Sequence, residues 1–487
     1  MYASIQRMVG GIVISAVVAC STPLAAAEKE GSAERTKRDA TPSPAGGAMD
    51  LDPETIEAMK KIDAVGAHGV PDLELKLDER YAHTAEELEP YGHVKPYKEH
   101  FLEQMVYTGP GRAKPEPDHV DSVKLGFIGP IVPTVSVATG GGSNAEDLGI
   151  QMLRGTQLAI KHANQQGGYL DRDVPFELVI SNDNGLWGAS GNEIIKLAYK
   201  DKVWAILGTI DGANTHIAIR VALKVEIPMM NSGDLDPTLM ETNIPWVFRC
   251  VGDDRKMGYM LVDHMYKNLD LKRVAVIRAS SRYGRFGVRE ILDASRRVGR
   301  PIAIEMAYEL DRKDFSLQLE RIRDAKIDGV VHWGSAEHGA VILNQMRDMG
   351  MDQPYFASDR CVSDTFLEIA GNNAEGVVCG YPWNPDREDP KLDAFRTSFR
   401  EEYGEEPDTY SAHAYDGMNM LIWATQAAGL NRAKIRDMLA YRDKPWLGVT
   451  GKIPLSASLD DAGKVFLARC EDGKWKYYSR EDLEIAR

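Results

Sequence analysis

The chain has 487 residues, enough for two or three domains that each enclose a core. Apolar residues make up 43% and charged residues 27%, the balance of a folded soluble protein rather than a disordered one. A formal net charge of -15 excludes a broad nucleic-acid footprint, because phosphate binding needs a concentrated basic surface.

Residues 1–27 have the architecture of an export signal. Arg7 supplies the positive start, Val9 to Ala19 is apolar, and Ala25-Ala26-Ala27 offers small residues for cleavage before Glu28. The run is short for a membrane span, which needs ~20 apolar residues. Val17-Val18-Ala19-Cys20 also has the form of a lipoprotein signal, in which Cys20 would carry the lipid anchor, so two processing routes are open. Either route leaves Cys250, Cys361, Cys379 and Cys470, an even number in a compartment that permits disulfides. Their spacing matches no metal pattern, and neither metal nor cofactor is expected.

Residues 28–48, rich in Ser, Lys, Glu, Gly and Pro, read as a flexible linker. An N-terminal extension follows over residues 49–120. Ile56, Met59, Ile62 and Val65 predict one amphipathic helix after Asp52-Pro53, and Tyr91, Tyr97, Phe101 and Tyr107 then lead to Gly109-Pro110-Gly111. This stretch either packs against the body or forms a partner surface.

From Val123 the pattern becomes alternating strand and helix. Strands are predicted at Val123 to Ile128, Phe176 to Ile180, Val203 to Leu207 and Ile227 to Met230, with helices at Leu148 to Asn164, Gly191 to Lys200 and Ala218 to Leu223 between them. The cadence repeats with strands at Val274 to Ile277, Ile302 to Met306 and Gly329 to Trp333, and helices at Phe286 to Val298, Leu317 to Ala325 and Gly339 to Met349. Helices at Asp389 to Glu402, Tyr410 to Ala428 and Lys434 to Ala440 precede closing strands, including Val465 to Cys470. Two α/β units with parallel sheets follow, and their strand ends would place a ligand crevice between them. Gly140-Gly141-Gly142-Ser143 lacks the Gly-Lys-Ser/Thr of a nucleotide-binding loop and reads as a mobile rim. No His-Glu-x-x-His or Gly-x-Ser-x-Gly occurs, so no enzyme is expected.

Several segments in register carry a family resemblance: Lys124-Leu125-Gly126-Phe127-Ile128-Gly129-Pro130, Phe248-Arg249, Tyr283-Gly284-Arg285, Asp314-Phe315-Ser316, Glu375-Gly376-Val377 and Ala414-Tyr415-Asp416. From about Val123 to Tyr478 the chain resembles the extracytoplasmic solute-binding proteins of branched-chain amino-acid ABC transporters, the leucine/isoleucine/valine type. The resemblance implies a type I periplasmic binding protein fold, two Rossmann-like lobes joined by three hinge crossings. It puts residues 121–249 and 380–447 in lobe 1 and residues 250–379 and 448–487 in lobe 2, with crossings near Cys250, Cys379 and Gly448. Neighbouring hinge strands would bring Cys250 and Cys379 within disulfide range.

The same resemblance implies a site. Ligand carboxylate would meet Gly212-Ala213 and Asn231-Ser232-Gly233, with Thr209 as a nearby hydroxyl. Tyr283 would cover the ligand, Asp359 would meet its ammonium, and Trp333 and Ser335 would shape the wall. Three positions depart from a leucine-type pocket. Gly212 replaces a hydroxyl, Asp234 sits where a carboxylate would be repelled, and Ser335 replaces a tyrosine. Tyr283 reads alternatively as a half-buried loop aromatic, Asp359 as a helix cap, Asp416 as a helix anchor and Trp187 as surface packing. The implied function is capture of a small polar solute, an amino acid or related carboxylate or amide, in the periplasm for an inner-membrane ABC permease. A sensory or accessory binding protein tied to small-molecule metabolism, such as that of alcohols, is the other reading.

Overall fold

A computed structural model describes residues 105–131, 145–170, 173–183, 187–442 and 444–485. The expected export signal with Cys20, the linker, most of the N-terminal extension and the Gly140 to Ser143 rim lie outside the described residues, as does the Trp187 side chain.

The first lobe is built on a parallel sheet of order β2-β1-β3-β4-β5, from β1 (Val123–Gly129), β2 (Phe176–Asn182), β3 (Ile206–Leu207), β4 (Met229–Asn231) and β5 (Val247–Arg249). In β1 only Lys124 is not fully buried, a continuous apolar run suited to a parallel strand covered on both faces. Helices Ala145–Gln165 and Gly212–Val225 follow β1 and β3.

The second sheet has the order β14-β13-β10-β9-β8-β6-β7. Its strands are β6 (Val274–Ala279), β7 (Ile304–Tyr308), β8 (Gly329–Trp333), β9 (Tyr355–Ala357) and β10 (Val378–Tyr381). A short antiparallel pair, β11 (Trp446–Leu447) and β12 (Lys452–Ile453), stands apart from both large sheets. The hairpin β13 (Phe466–Glu471) and β14 (Lys474–Tyr478) then adds antiparallel to β10, turning at Asp472-Gly473. After β10 the chain returns to the first lobe. There the Tyr403 hydroxyl donates to the Arg154 carbonyl (3.0 Å), and Tyr415 of helix Thr409–Ala428 bonds His162 (2.9 Å).

The third crossing falls later than expected. Val449 packs in a core cluster that also holds Ala468 and Cys470, but Ile453 and Leu459 belong to the core of the first lobe, before Val465 and Leu467 enter that of the second. The cause is Asp416, whose carboxylate accepts the Val449 N–H (2.9 Å) and the Thr450 N–H (2.8 Å) and clamps the 448–450 turn to helix Thr409–Ala428. The lobe 2 assignment is therefore corrected at Ile453 and Leu459, and Asp416 acts as an anchor.

A second correction concerns the cysteines. Cys250, Cys361, Cys379 and Cys470 are free and buried. Cys250 lies in the first core, with its Sγ 3.4 Å from the Asn231 carbonyl. Cys379 is paired across strands to Ala357 and Ala468 in the second sheet. The hinge strands deliver the two thiols into different cores, so the Cys250–Cys379 bridge is not formed.

The crossings are tied together by Arg249, which is fully buried. Its Nε and Nη2 each donate to Asp460 at 2.7 Å, Nη2 reaches Asp253 at 2.9 Å, and Nη1 reaches the Asp236 carbonyl at 2.9 Å. One guanidinium thus joins the first crossing, the third crossing and the loop after β4.

Residues 105–117 strap the first lobe. The Tyr107 hydroxyl donates to Glu226 (2.7 Å), its ring meets Trp246 edge-on at 4.7 Å, and Arg112 forms a buried two-point pair with Asp437. Glu116 accepts the Leu430 N–H (3.0 Å) and meets Lys434 at 3.1 Å. Glu226 lies three residues before β4 and Trp246 immediately before β5, so the strap lies at the edge where strands begin, opposite the edge where they end. A cavity of about 650 Å³ lies beside it, between Trp204, Trp246, Lys114 and Arg432.

Candidate functional site

In a parallel sheet the ligand crevice forms where the strands end. At that edge of the first lobe β4 finishes on Asn231, whose amide is spent on the loop itself. Its Nδ2 donates to the Thr209 carbonyl (2.9 Å), and its Oδ1 accepts the Gly233 and Asp234 N–H groups (3.3 and 3.0 Å). Thr209 is likewise tied inward, its hydroxyl 2.7 Å from that of Thr215. The Ala213 N–H is taken by the Asp211 carboxylate, which caps helix Gly212–Val225. Among these expected residues Ser232 is different: it is 1% exposed and its hydroxyl has no partner.

Gly212 has a steric role. A Cβ there would come within 2.8 Å of Arg282 Nε and 2.9 Å of Asp236 Oδ2. Arg282, from the second lobe, donates to Asp236 of the first at 2.8 Å and to the Thr238 hydroxyl at 3.0 Å. The missing side chain makes room for this bridge between lobes.

The second lobe brings Tyr283 and Asp359 together as expected. Tyr283 lies in the first turn of helix Arg282–Arg297, capped by Ser281, and Asp359 follows β9. The Tyr283 hydroxyl donates to Asp359 Oδ1. Tyr410, on the helix returned to the first lobe, donates to Asp359 Oδ2 at 3.0 Å. One buried carboxylate is therefore gripped by a tyrosine from each lobe. Arg360 completes the cluster, its guanidinium carbon 3.8 Å from the Tyr283 ring centroid. Burial pushes the Asp359 carboxyl above its ordinary value, against the opposing pull of Arg360 and both tyrosine hydroxyls. Asp234, the residue out of place beside a ligand carboxylate, is pushed up to about 7 by burial and by Asp236.

Trp333 ends β8 fully buried behind Tyr283, with ring centroids 6.3 Å apart, so it backs the tyrosine. Ser335 caps helix Ala336–Asp348 and bonds His338 at 2.9 Å. The sequence did not single out Tyr410, Arg282 or Arg360. Tyr410 opens a helix and Arg360 follows Asp359 in the chain, but only the return of helix Thr409–Ala428 to the cleft reveals what they meet. Among the described residues no group of His, Cys, Asp and Glu could hold a metal, and no helix is long and apolar enough to cross a membrane.

The periplasmic binding protein family model matches residues 122–462, which include both sheets' parallel strands and the first two crossings. The chain belongs to the periplasmic binding protein family. The binding protein is 26% identical over 338 residues to the Leu/Ile/Val-binding protein homolog 2 of Brucella abortus, covering 68% of this chain and 89% of that one. It is 27% identical to an amino acid binding protein of Pseudomonas aeruginosa, over 69% and 89% of the two chains. In fold it is similar to the branched-chain amino acid transporter substrate binding protein LivJ of Streptococcus pneumoniae in complex with isoleucine. The TM-score there is 0.65 at 22% identity, over 74% of this chain and 99% of that one. A solute binding protein from R. palustris in complex with benzoate gives 0.64 at 18% identity, over 74% and 96%. The family members bind solutes and are not enzymes, and the two lobes described above are the bilobed type I arrangement.

Proposed function

We propose that this periplasmic binding protein is the substrate-binding component of an ABC uptake system and captures a small amino-acid-like solute between its lobes. The observation that carries the reading is the grip on Asp359 by Tyr283 from one lobe and Tyr410 from the other. A residue contacted from both sides makes closure sensitive to what occupies the cleft, since a ligand shifts the lobes only through contacts that differ between open and closed states. Ser232, with its unpartnered hydroxyl, and the turn at Gly233 face the ligand from the first lobe. An inner-membrane permease is the partner this activity requires, and lipidation at Cys20 would hold the protein near it.

The test is a thermal-shift screen of the purified protein against amino acids, amides and small aromatic acids, because a ligand for the folded state raises its melting temperature. For the best hit, titration calorimetry of Tyr283→Ala and Asp359→Ala should show affinity lowered at least tenfold in each. Wild-type affinity in both would refute the cleft assignment.

A further inference from the structure

The cavity beside the strap has walls held by buried hydrogen bonds, and its charge is one-sided. Asn431 fixes the strap wall. It is buried, and its Nδ2 donates to the Gly111 carbonyl at 3.2 Å and the Lys114 carbonyl at 2.8 Å, which ties the strap to the start of helix Arg432–Ala440. The next residue, Arg432, fixes the facing wall. Its Nη2 donates to the Ala198 carbonyl at 2.8 Å, and Nε and Nη2 donate to the Val203 carbonyl at 3.1 and 2.7 Å. Those two carbonyls bracket the turn that carries Lys200 and Lys202, so one guanidinium holds both lysines at the cavity. Trp204 follows in the chain, its backbone N–H donating to the Lys124 carbonyl at 2.8 Å, and with Val120 and Leu430 it supplies an apolar wall.

The carboxylates that line this cavity are already matched. Glu226 meets Lys114 at 3.0 Å, and Asp201 lies 4.0 Å from Lys196. Lys124 stands 3.9 Å from Glu177. Among the described residues no carboxylate pairs with Lys200, Lys202 or Arg432, and Arg432 Nη1 has no partner. All the bonds of this guanidinium end on neutral carbonyls, and burial pushes it down to about 10. Three uncompensated cations thus line one cavity of a chain whose formal net charge is -15. Its volume of about 650 Å³ lies within the roughly 300–1,000 Å³ of small-ligand sites. A neutral solute leaves the cations unmatched, a cation is repelled, and a bare inorganic anion leaves the Trp204 wall uncovered. A ring that carries a doubly charged group uses both halves, with charge-assisted N–H bonds at one end and aromatic contact at the other.

We propose that this cavity is a second binding site, separate from the interlobe cleft, for a small aromatic dianion such as an aryl phosphate. Arg432, Lys200 and Lys202 bind the charged group, and Trp204 packs against the ring. Every wall belongs to the first lobe or to the strap, so occupancy fastens the strap to the 198–203 turn and does not require the lobes to close. The strap gains a function by the same geometry, because Lys114, Pro115 and Pro117 form one side of the site.

The test is titration calorimetry and thermal melting of the full chain with phenyl phosphate at low salt. Inorganic phosphate and benzyl alcohol serve as its two halves. Phenyl phosphate should bind at least tenfold more tightly than either half, raise the melting temperature, and weaken as salt is added. Lys200 and Lys202 are exposed, so the double variant Lys200→Gln with Lys202→Gln should melt as wild type does while losing at least tenfold in phenyl phosphate affinity. Tyr283→Ala, which alters the cleft alone, should bind phenyl phosphate within twofold of wild type. Four results would each overturn the proposal: no binding of phenyl phosphate, inorganic phosphate binding as tightly, wild-type affinity in the double lysine variant, or binding lost in Tyr283→Ala. The last would move the aromatic anion into the cleft.

Discussion

Replacing Arg249 by methionine tests whether one guanidinium holds the hinge together. The substitution keeps much of the side-chain volume but removes the donors to Asp460, Asp253 and the Asp236 carbonyl. Two buried carboxylates are then stranded, and breaking a buried pair from one side costs about 3–5 kcal/mol. With an unfolding entropy of about 2.1 cal/mol/K per residue, a body of this size should lose roughly 4–7 °C of Tm. Urea denaturation followed by circular dichroism measures the loss directly. Arg249→Met combined with Asp460→Asn should recover part of it, because one stranded charge is gone. The acid limb gives a further check. Against burial, which raises it, Arg249, Lys256 and Arg255 hold the Asp253 carboxyl below its ordinary value. A depressed carboxylate contributes stability above its unfolded value, near 3.9, which is lost as pH falls through the folded one. Arg249→Met should flatten that acid loss. A cost under about 1 kcal/mol, or no recovery in the double variant, would refute the argument.

Asp234 should produce the opposite slope. With its folded value near 7, the native state holds a proton that the unfolded chain releases near pH 4, so stability declines between about pH 4 and 7. Asp234→Asn should flatten that decline in ligand-free melts and gain ~1–3 kcal/mol at pH 8. Arg112→Ala leaves the buried Asp437 with Arg436 as its remaining cation at 3.0 Å and should cost about 1–3 kcal/mol, yet leave cleft-ligand affinity within twofold of wild type because the strap is remote from the cleft. Cys250, Cys361, Cys379 and Cys470 should be inert to a thiol reagent in the native protein and all react once urea unfolds it. Fast native reaction of any of the four would contradict their burial.

The repeated strand-and-helix cadence made both sheets legible, since a buried parallel strand needs an unbroken apolar run such as Leu125 to Ile128. Tyr283 and Asp359 were legible from the resemblance and do meet, but their joint grip depends on Tyr410, more than 100 residues from Tyr283 in sequence and brought back by the second crossing. Which of Asp253 and Asp254 caps the next helix was hidden for a different reason. Gly252-Asp253-Asp254 reads as an ordinary helix start, and only the hydrogen bonds separate the aspartate that caps from the one that does not, both being buried. The hinge thiols misled because nearness of two strands says nothing about the face each side chain takes. Ser335 and Asp416 show the same gap: a polar residue at a strand end serves equally as helix cap, anchor or ligand contact, and its partners decide.

The strap also fixes where the molecule can be held. Met105 enters beside Ala457 at the edge of the first lobe where strands begin, with its N–H donating to that carbonyl at 2.9 Å. A tag or surface linkage placed ahead of Met105 pulls on the strap's end of the lobe and leaves the strand-end edge open. Immobilised this way on a sensor chip, the protein would present its cleft outward, and solute exchange could be followed without the attachment point intervening.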